Sequence, residues 1–192
     1  MSAPTDVNSS KILTSFDIKQ CRESLDDLVI APFDKAQAKG IGYNIAASDL
    51  FYSLKKSMPL KICHDDSGSY AVINPNDTVL VLSYEYLKTN DFVAGTFHSK
   101  VRGAASGLGN VSTTLDPNWK GMLLISINNP TSSKIKVPIT IKKDGKTERC
   151  SLLTLVPFRN TCPPEKDGET WSFHLDNPPM RADIWSDLID KP

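Results

Sequence analysis

The pattern of apolar and polar positions along the chain consists mostly of short β-type runs. Runs such as VLVLSYEYL, GMLLISIN and KIKVPITIKK are rich in β-branched and aromatic residues. The segments between such runs, for example DDSG, NPND and TND, consist of good turn formers. In KKDGKT, the pair Asp144-Gly145 is a signal for a hairpin turn. Many short strands at roughly even spacing predict an all-β barrel or sandwich.

Two segments at the ends of the chain have a helical pattern instead. In TSFDIKQCRESLDD, Thr14 or Ser15 can cap a helix and Asp17 favours its first turn, so we expect a short helix from about residue 15 to 26. Near the C-terminus, NPPMRADIWSDLID offers Asn177 as a cap and proline at the first helical position. The apolar stripe that predicts a short helix there is formed by Ile184, Trp185, Leu188 and Ile189.

The length of 192 residues suits one domain, which can bury a core without disulfides. We predict an N-terminal tail and helix over 1–27, a β-barrel domain over 28–160, and a C-terminal loop and helix over 161–192. In LVIAPF, a strand should end at Pro32, because proline cannot donate to a ladder. The segment 49–57 fits neither a helix nor a strand clearly.

The charge balance limits the kinds of partner that the chain can bind. It has 22 Lys and Arg residues against 22 Asp and Glu residues, so its formal net charge is zero. No global basic field attracts nucleic acid or an anionic membrane surface, and we expect neither as a partner. Any anionic ligand must be held by a local site.

The remaining features of the composition concern location and metals. The first residues, MSAPTDVNSSK, lack the pattern of a signal peptide, and no apolar run is long enough to span a membrane, so we expect a cytoplasmic protein. The four cysteines show no C-x-x-C spacing and are best interpreted as free thiols. A zinc site at Cys63-His64 with a remote cysteine is a weak alternative, and no metal ligand is predicted.

Several stretches in the middle of the chain follow one another in a familiar order. They are LVIAPF, NPNDTVLVLSYEYLKTNDFVAGTFHSKV with Glu85 at an acidic position, GLGNVSTTLDPNWKG and TERCSLLTLVPF. This ordered set, covering roughly residues 28–158, resembles the dUTPase/dCTP deaminase superfamily, in particular its deaminase branch. The resemblance implies a dUTPase-like distorted β-barrel that assembles as a homotrimer, with deoxynucleotide sites at the subunit interfaces.

The resemblance places a phosphate-binding element in HSKVRGAASGLG. It implies that Ser99, Lys100 and Arg102 contact phosphate, with small residues allowing the backbone to approach the anionic oxygens. The family pattern is closer to GRSSLARLG, so His98 stands in place of an arginine and Gly103 in place of a later one. Lys100 and Arg102 share one parity, and would share one face if this segment were a strand. Alternatively, both are solvated cations on a loop.

The resemblance also assigns roles in the stretch VSTTLDPNWKG. Thr113 and Thr114 would lie in a hairpin whose backbone pairs with the pyrimidine, or they reflect only β-propensity. Trp119 would pack on the deoxyribose, or would serve only as a core aromatic. Asp116 would lie beside the sugar and orient the attacking water as a general base, or would only cap an Asp-Pro turn.

Two departures from the family pattern leave the chemistry open. The deaminase branch carries a catalytic glutamate five residues beyond the glycine of this hairpin, where this chain has Ser126. A serine hydroxyl does not shuttle protons at neutral pH as a carboxylate does, so ordinary dCTP deamination is disfavoured. The acidic C-terminal stretch also lacks the glycine-rich arm with which dUTPases close their site.

Two functional hypotheses follow from these residues. The first is binding and hydrolysis of a pyrimidine deoxynucleoside triphosphate, with Asp116 orienting water and Mg²⁺ bound through the substrate phosphates. The second is a non-catalytic module that uses the same fold for oligomeric assembly or nucleotide sensing. The retained TTLDPNWKG stretch favours the first hypothesis, whereas Ser126 and the altered phosphate element favour the second.

Overall fold

The computed structural model of the protein describes residues 10–24, 27–111 and 114–162. Strands dominate this part of the chain, together with two short helices, α1 (Ser15–Ser24) and α2 (Val101–Ala105). The all-β class predicted from the sequence is therefore confirmed. Within the described ranges, no helix is both long and apolar enough to cross a membrane.

Helix α1 begins where its capping residues predict. The Thr14 amide donates to Asp17 Oδ2 at 2.9 Å, and the Asp17 amide donates in return to Thr14 Oγ1 at 3.4 Å. This reciprocal pair satisfies backbone donors that the first helical turn leaves without partners. The predicted end of the helix near residue 26 lies outside the described residues, as does most of the predicted C-terminal segment.

Fifteen strands are present in the described part of the chain. Those before residue 90 are β1 (Lys11–Ile12), β2 (Leu28–Ala31), β3 (Ala38–Lys39), β4 (Gly42–Ser53), β5 (Met58–Pro59), β6 (Cys63–Asp65), β7 (Gly68–Ile73) and β8 (Asp77–Thr89). Those after it are β9 (Val93–Ser99), β10 (Gly109–Val111), β11 (Thr114–Leu115), β12 (Lys120–Asn129), β13 (Ile135–Lys143), β14 (Lys146–Arg149) and β15 (Ser151–Arg159).

Most strands belong to one large sheet, whose longest path runs in the order β10-β12-β8-β4-β15-β9-β11. A flat path of seven strands would separate its two edges by about 29 Å, because neighbouring strands lie about 4.8 Å apart. Strands β10 and β11 are nevertheless only three residues apart in sequence, between Val111 and Thr114, which limits their separation to about 11 Å. The sheet must therefore curl into an open half-barrel. A second sheet has the order β14-β13-β7-β6.

The hydrophobic core lies on the concave side of this curl. In β12, Leu123, Ile125 and Ile127 are buried, while the side chains between them are only partly buried. This strict alternation places every second residue of β12 inside, as the period of two of a strand requires. The largest fully buried side chains of the core include Tyr43, Phe51, Ile45, Leu87, Leu115 and Leu155.

The turn chemistry of the sequence is reproduced with two refinements. Asp144 and Gly145 adopt positive φ values of 51° and 74° and connect β13 to β14, so the predicted hairpin is confirmed. Strand β2 ends at Ala31, directly before Pro32. The ambiguous segment 49–57 is divided, because β4 continues to Ser53 before a turn begins.

Candidate functional site

The Asp-Pro turn between β11 and β12 has a tightly held backbone. Asn118 adopts a positive φ of 62°, and the Trp119 amide donates to Asp116 O at 3.3 Å. Thr89 of β8 is only 2% exposed, and its hydroxyl both donates to Asp116 O at 3.0 Å and accepts from the Trp119 amide at 3.0 Å. One buried hydroxyl thus joins the two ends of the turn and fixes the position of Asp116.

The side chain of Asp116 is held while remaining accessible. Its Oδ1 atom accepts a hydrogen bond from Thr114 Oγ1 at 3.0 Å, and the residue is partly exposed. The neighbouring Leu115 is fully buried, which anchors this short strand in the core. An accessible carboxylate on an anchored turn is suited to bind a water molecule or a cation.

Trp119 is partly buried and packs against the main core. Its indole N–H donates to Gly121 O at 3.1 Å, so the hydrogen-bonding group of the ring is paired with the backbone of β12. The packing role that the sequence left open is therefore present. The partial exposure of the ring is compatible with an additional contact on its outer side.

A row of polar residues crosses four neighbouring strands, β4, β15, β9 and β11, on the side opposite the core. In register, Thr154 faces Asn44 on one side and His98 on the other, and Thr96 faces Thr114. Thr96 Oγ1 and His98 Nε2 lie 3.0 Å apart. We call these five residues, Asn44, Thr154, His98, Thr96 and Thr114, the polar face.

Lys100 contacts one end of the polar face. Its Nζ atom donates to Asn44 Oδ1 at 2.7 Å and to Thr154 Oγ1 at 3.3 Å. Partial burial, followed by the nearby charge of Lys39, lowers the pKa of the Lys100 ammonium. The ammonium group of Lys100 is therefore an ordered, positively charged hydrogen-bond donor, held by an asparagine that is only 7% exposed.

The expectation that Lys100 and Arg102 share a strand face is not met. Strand β9 ends at Ser99, and the segment from Val101 onwards forms helix α2, so the alternation of a strand does not apply. Lys100 reaches the polar face, whereas Arg102 is exposed on the short helix. The sequence did not distinguish a strand from a helix here, because a run of small residues is compatible with both conformations.

Ser99 and Lys100 border a cavity too small for a nucleotide. Its volume is about 20 Å³, and Gly103 and Leu108 are among the other residues that line it. A space of this size holds about one water molecule. Among the described residues, this element therefore offers donors at the surface beside a cavity too small to enclose a phosphate. Thr113, predicted beside Thr114, lies outside the described residues.

The predicted site residues fall into two separate groups. Leu115 pairs with Gly95, so Asp116 comes next to Ala94, and Lys100 lies six residues further along the chain from there. Six residues of extended strand span about 20 Å. The structure thus brings Asp116 together with Thr114 and Trp119, and Ser99 together with Lys100, and the polar face lies between the two groups.

The predicted hairpin around Thr113 differs from the simple form that the sequence suggests. In the described residues, β10 pairs with β12 and β11 pairs with β9, at opposite edges of the curled sheet. The segment between Val111 and Thr114 therefore connects the two edges. Strands β10 and β11 flank this segment, but each pairs with a strand far away in the sequence.

Ser126 is part of β12, on the side opposite the buried Ile125 and Ile127. It is in register with Leu80 of β8 and with Val111 of β10. Glu85 lies five residues further along β8 than Leu80, about 17 Å of extended strand. The buried carboxylate of Glu85 therefore does not take the place of the missing glutamate.

Four polar residues of the site were missed by the sequence analysis, namely Asn44, Thr96, Thr154 and Thr89. The alternation in GYNIAAS contained a signal for the first, because Asn44 stands between two core residues, Tyr43 and Ile45. The strands of Thr154 and Thr89 contain no comparable signal. A buried threonine is typical of any strand, and its partners are set by the tertiary fold.

Replacing Thr89 with valine tests how the turn is held. Valine has nearly the same shape but removes the hydroxyl that bonds Asp116 O and the Trp119 amide. We expect a loss of about 1–3 kcal/mol in the free energy of unfolding, measured by urea denaturation. The exposed Thr147 of β14 provides a matched control, and Thr147→Val should change stability by less than about 0.5 kcal/mol. Equal effects of the two variants would contradict this role of Thr89.

A protein-family model described as dCTP deaminase-like matches residues 12–142 of the chain. Two curated relatives are also similar. One, a dUMP-forming dCTP deaminase of Nanoarchaeum equitans, is 29% identical over 121 residues, which are 62% of this chain and 57% of the relative. The other, a dCTP deaminase of Thermococcus kodakarensis, is 27% identical over 111 residues, which are 58% of this chain and 68% of the relative.

The fold has a counterpart among solved structures. The 2'-deoxycytidine 5'-triphosphate deaminase of Agrobacterium tumefaciens superposes with a TM-score of 0.57 at 14% identity, covering 79% of this chain and 48% of that one. The chain thus spans little more than half the length of the Nanoarchaeum relative and about half the length of the Agrobacterium deaminase. The family match covers well over half of the chain. The protein therefore belongs to the dCTP deaminase-like family.

Proposed function

We propose that the protein binds a pyrimidine deoxynucleoside triphosphate and hydrolyses it by attack of water on a phosphate. The observation that supports this proposal most directly is the anchored Asp-Pro turn. There, Thr114 positions the partly exposed carboxylate of Asp116, and Thr89 holds the backbone. In the proposal, Asp116 orients the attacking water, since a carboxylate is able to accept its proton.

The other predicted residues bind the substrate in this proposal. Trp119 contacts the sugar with the outer side of its ring, and Thr113 and Thr114 lie beside the base. Ser99, Lys100 and Arg102 donate to the phosphates, since hydroxyl, ammonium and guanidinium groups are the donors that anionic oxygens require. Because the Lys100 side chain is already held on the polar face, it loses less conformational entropy when it binds a phosphate.

The separation of Asp116 from Lys100 along the sheet has a consequence for assembly. The Lys100 ammonium is held by Thr154, which pairs with His98, and about 13 Å of strand lies between His98 and the position next to Asp116, so one copy of the chain does not direct both at one phosphate. We therefore propose that the site is completed between subunits, with Asp116 from one copy and Lys100 from the next. A homotrimer with three such interfaces satisfies this requirement.

Mg²⁺ is proposed to enter with the triphosphate. No group of three or more His, Cys, Asp or Glu residues in the described ranges is placed to hold a metal ion by itself. Mg²⁺ is commonly held by one or two carboxylates together with substrate phosphates and water, and the accessible Asp116 fits that requirement. When bound, the ion would neutralise part of the phosphate charge.

A second function is favoured by one specific observation, the serine at position 126. Ser126 lies between Val111 and Leu80 in register, and it supplies no carboxylate to this part of β12. A member of the family that has lost this carboxylate retains the fold for assembly or nucleotide sensing. This alternative predicts binding of a nucleotide without turnover, or a stable oligomer that binds none.

Turnover assays distinguish these functions. The purified protein is incubated with Mg²⁺ and, separately, with dUTP, dCTP or dTTP, and the release of phosphate products and of ammonia is measured. Triphosphate hydrolysis over many turnovers without ammonia supports the first proposal. Binding measured by calorimetry without any turnover supports the second and overturns the first.

Asp116→Asn provides the matching variant, because it keeps the size of the side chain and its bond from Thr114. We expect kcat to fall by about a hundredfold, since the amide does not accept a proton from water. Asp144→Asn, at the remote turn between β13 and β14, serves as the control and should leave kcat unchanged. If Asp116→Asn retained full activity, Asp116 would have no role in orienting water.

A further inference from the structure

A second concave site lies beside the polar face and has no role in the proposed nucleotide chemistry. Its cavity has a volume of about 560 Å³ and lies between the segment after β2, the end of β8 and strand β14. This volume is within the range of about 300–1,000 Å³ that is typical of small-molecule sites. Phe33 and Tyr84 contribute aromatic walls, and Glu85 contributes a carboxylate.

The carboxylate of Glu85 lies at the floor of this cavity. Glu85 is only 4% exposed, and its Oε2 atom accepts a hydrogen bond from the Ala46 amide at 2.9 Å. The fully buried Tyr43 is close enough for the charge of Glu85 to contribute to the rise of its pKa, after the larger effect of burial. A buried carboxylate is costly for the fold unless a donor or a cation compensates its charge.

The cation nearest to this floor is already engaged elsewhere. Arg149 Nη1 donates to Asp49 Oδ1 at 2.8 Å and to Ala47 O at 3.1 Å, and the guanidinium lies 4.3 Å from the centre of the Tyr84 ring. Arg149 thus pairs with the exposed Asp49, while its charge still acts on Glu85 and opposes the rise that burial causes in the pKa of that carboxyl.

The remaining charges of the cavity lie at its exposed rim. They are the carboxylates of Asp34 and Glu148 and the ammonium group of Lys39. With Glu85 ionised, the lining residues hold three carboxylates against two cations, one of which is paired with Asp49. The balance of charge in the cavity thus favours a positively charged ligand.

We propose that this cavity binds a small, flat organic cation, whose N–H groups donate to Glu85 while its ring packs against Phe33 and against the side of Tyr84 that Arg149 leaves uncovered. The aromatic walls favour such a ring through apolar contact and through the attraction of their π-systems for a cation. An amidinium or a protonated amino-heterocycle has the required shape and donors. The site is distinct from Asp116 and Trp119 and does not depend on triphosphate binding.

The protonation of Glu85 makes this binding dependent on pH. Burial raises the pKa of Glu85 to about 7, while the Ala46 amide and Arg149 oppose the rise and Asp34 adds to it. The charged or titratable groups that face it are Asp34 from the segment after β2, Tyr43 from β4 and Arg149 from β14. Since a cation requires the ionised form, its affinity increases as the pH rises through the pKa of Glu85.

Benzamidine is a suitable probe, because it is flat, aromatic and positively charged throughout the range from about pH 5.5 to pH 8. We expect a titration followed by protein NMR to shift the amide signals of Ala46 and Glu85. The dissociation constant should be about 30-fold higher at about pH 5.5 than at about pH 8, as expected for a single carboxylate with this pKa. Neutral benzamide and anionic benzoate should bind more weakly than benzamidine at about pH 8.

Variants test whether Glu85 is the group that binds benzamidine. Glu85→Gln retains an acceptor for the Ala46 amide but carries no charge, so it should lose at least about tenfold in affinity together with the pH dependence. Asp66→Asn, in the exposed turn between β6 and β7, should change neither. The proposal is overturned if benzamidine leaves the signals of the cavity unshifted, if benzoate binds as tightly, or if Glu85→Gln keeps the pH dependence. The comparison of the wild-type protein at two pH values requires no variant to fold.

Discussion

Gly68→Ala is expected to destabilise the protein by about 2–5 kcal/mol, measured as the free energy of unfolding in urea. Gly68 opens β7 with a φ of 141°, a conformation that an alanine adopts only with strain of about 1–2 kcal/mol. A Cβ atom added there would lie 2.1 Å from Thr140 O of β13. Relieving this clash requires the two paired strands to move apart, which adds about 1–3 kcal/mol.

Two further glycines separate these contributions. Gly145→Ala tests strain alone, because Gly145 has a φ of 74° and a Cβ atom there would meet no atom within 4 Å. Gly42→Ala tests the clash alone, because its Cβ atom would lie 2.1 Å from Leu155 O while its backbone is ordinary. We expect each to cost about 1–3 kcal/mol. If Gly68→Ala cost no more than Gly145→Ala, the close contact with Thr140 would be wrong.

The second large effect concerns Glu85 and the pH dependence of stability. Burial raises the pKa of Glu85 from 4.5 to about 7 in the folded protein. Between these values the folded state retains a proton that the unfolded state releases, so folding takes up a proton and stability decreases as the pH rises. The difference in pKa corresponds to a loss of about 3 kcal/mol between about pH 4 and pH 8.

Glu85→Gln isolates this contribution, since other titrating groups are common to both proteins. The difference in unfolding free energy between Glu85→Gln and the wild type should shift by about 3 kcal/mol in favour of the variant from about pH 4 to pH 8. Urea denaturation at four or five pH values provides the measurement. A constant difference across this range would show that Glu85 has the same pKa in the folded and the unfolded protein.

Much of the fold follows from local chemistry that the sequence displays. The run GMLLISIN, which its residue types mark as a strand, lies within β12. Thr14 and Asp17 form the cap that their identities predict, and Asp144-Gly145 forms the hairpin turn. Each of these features depends on residues that are close in sequence, so propensity and periodicity were sufficient to predict it.

The candidate site was predictable only in part. The turn around Asp116 was identified because aspartate, proline and asparagine favour turns. The clamp by Thr89 was not, because that residue lies 27 positions earlier in the chain and contacts the turn only through strand pairing. Lys100 was expected to extend along a strand, but its ammonium group is held by Asn44 and Thr154 from two other strands.

The sequence by itself determined the β class, the position of most strands and turns, and the residues from which a site could be built. Only the tertiary structure decided which of these residues meet. It showed that several residues of strand β9 separate Asp116 from Lys100 in one copy, and that Glu85 lies at the floor of a cavity. The physical reason is that periodicity and propensity act over a few residues, whereas strand order and burial depend on contacts across the whole chain.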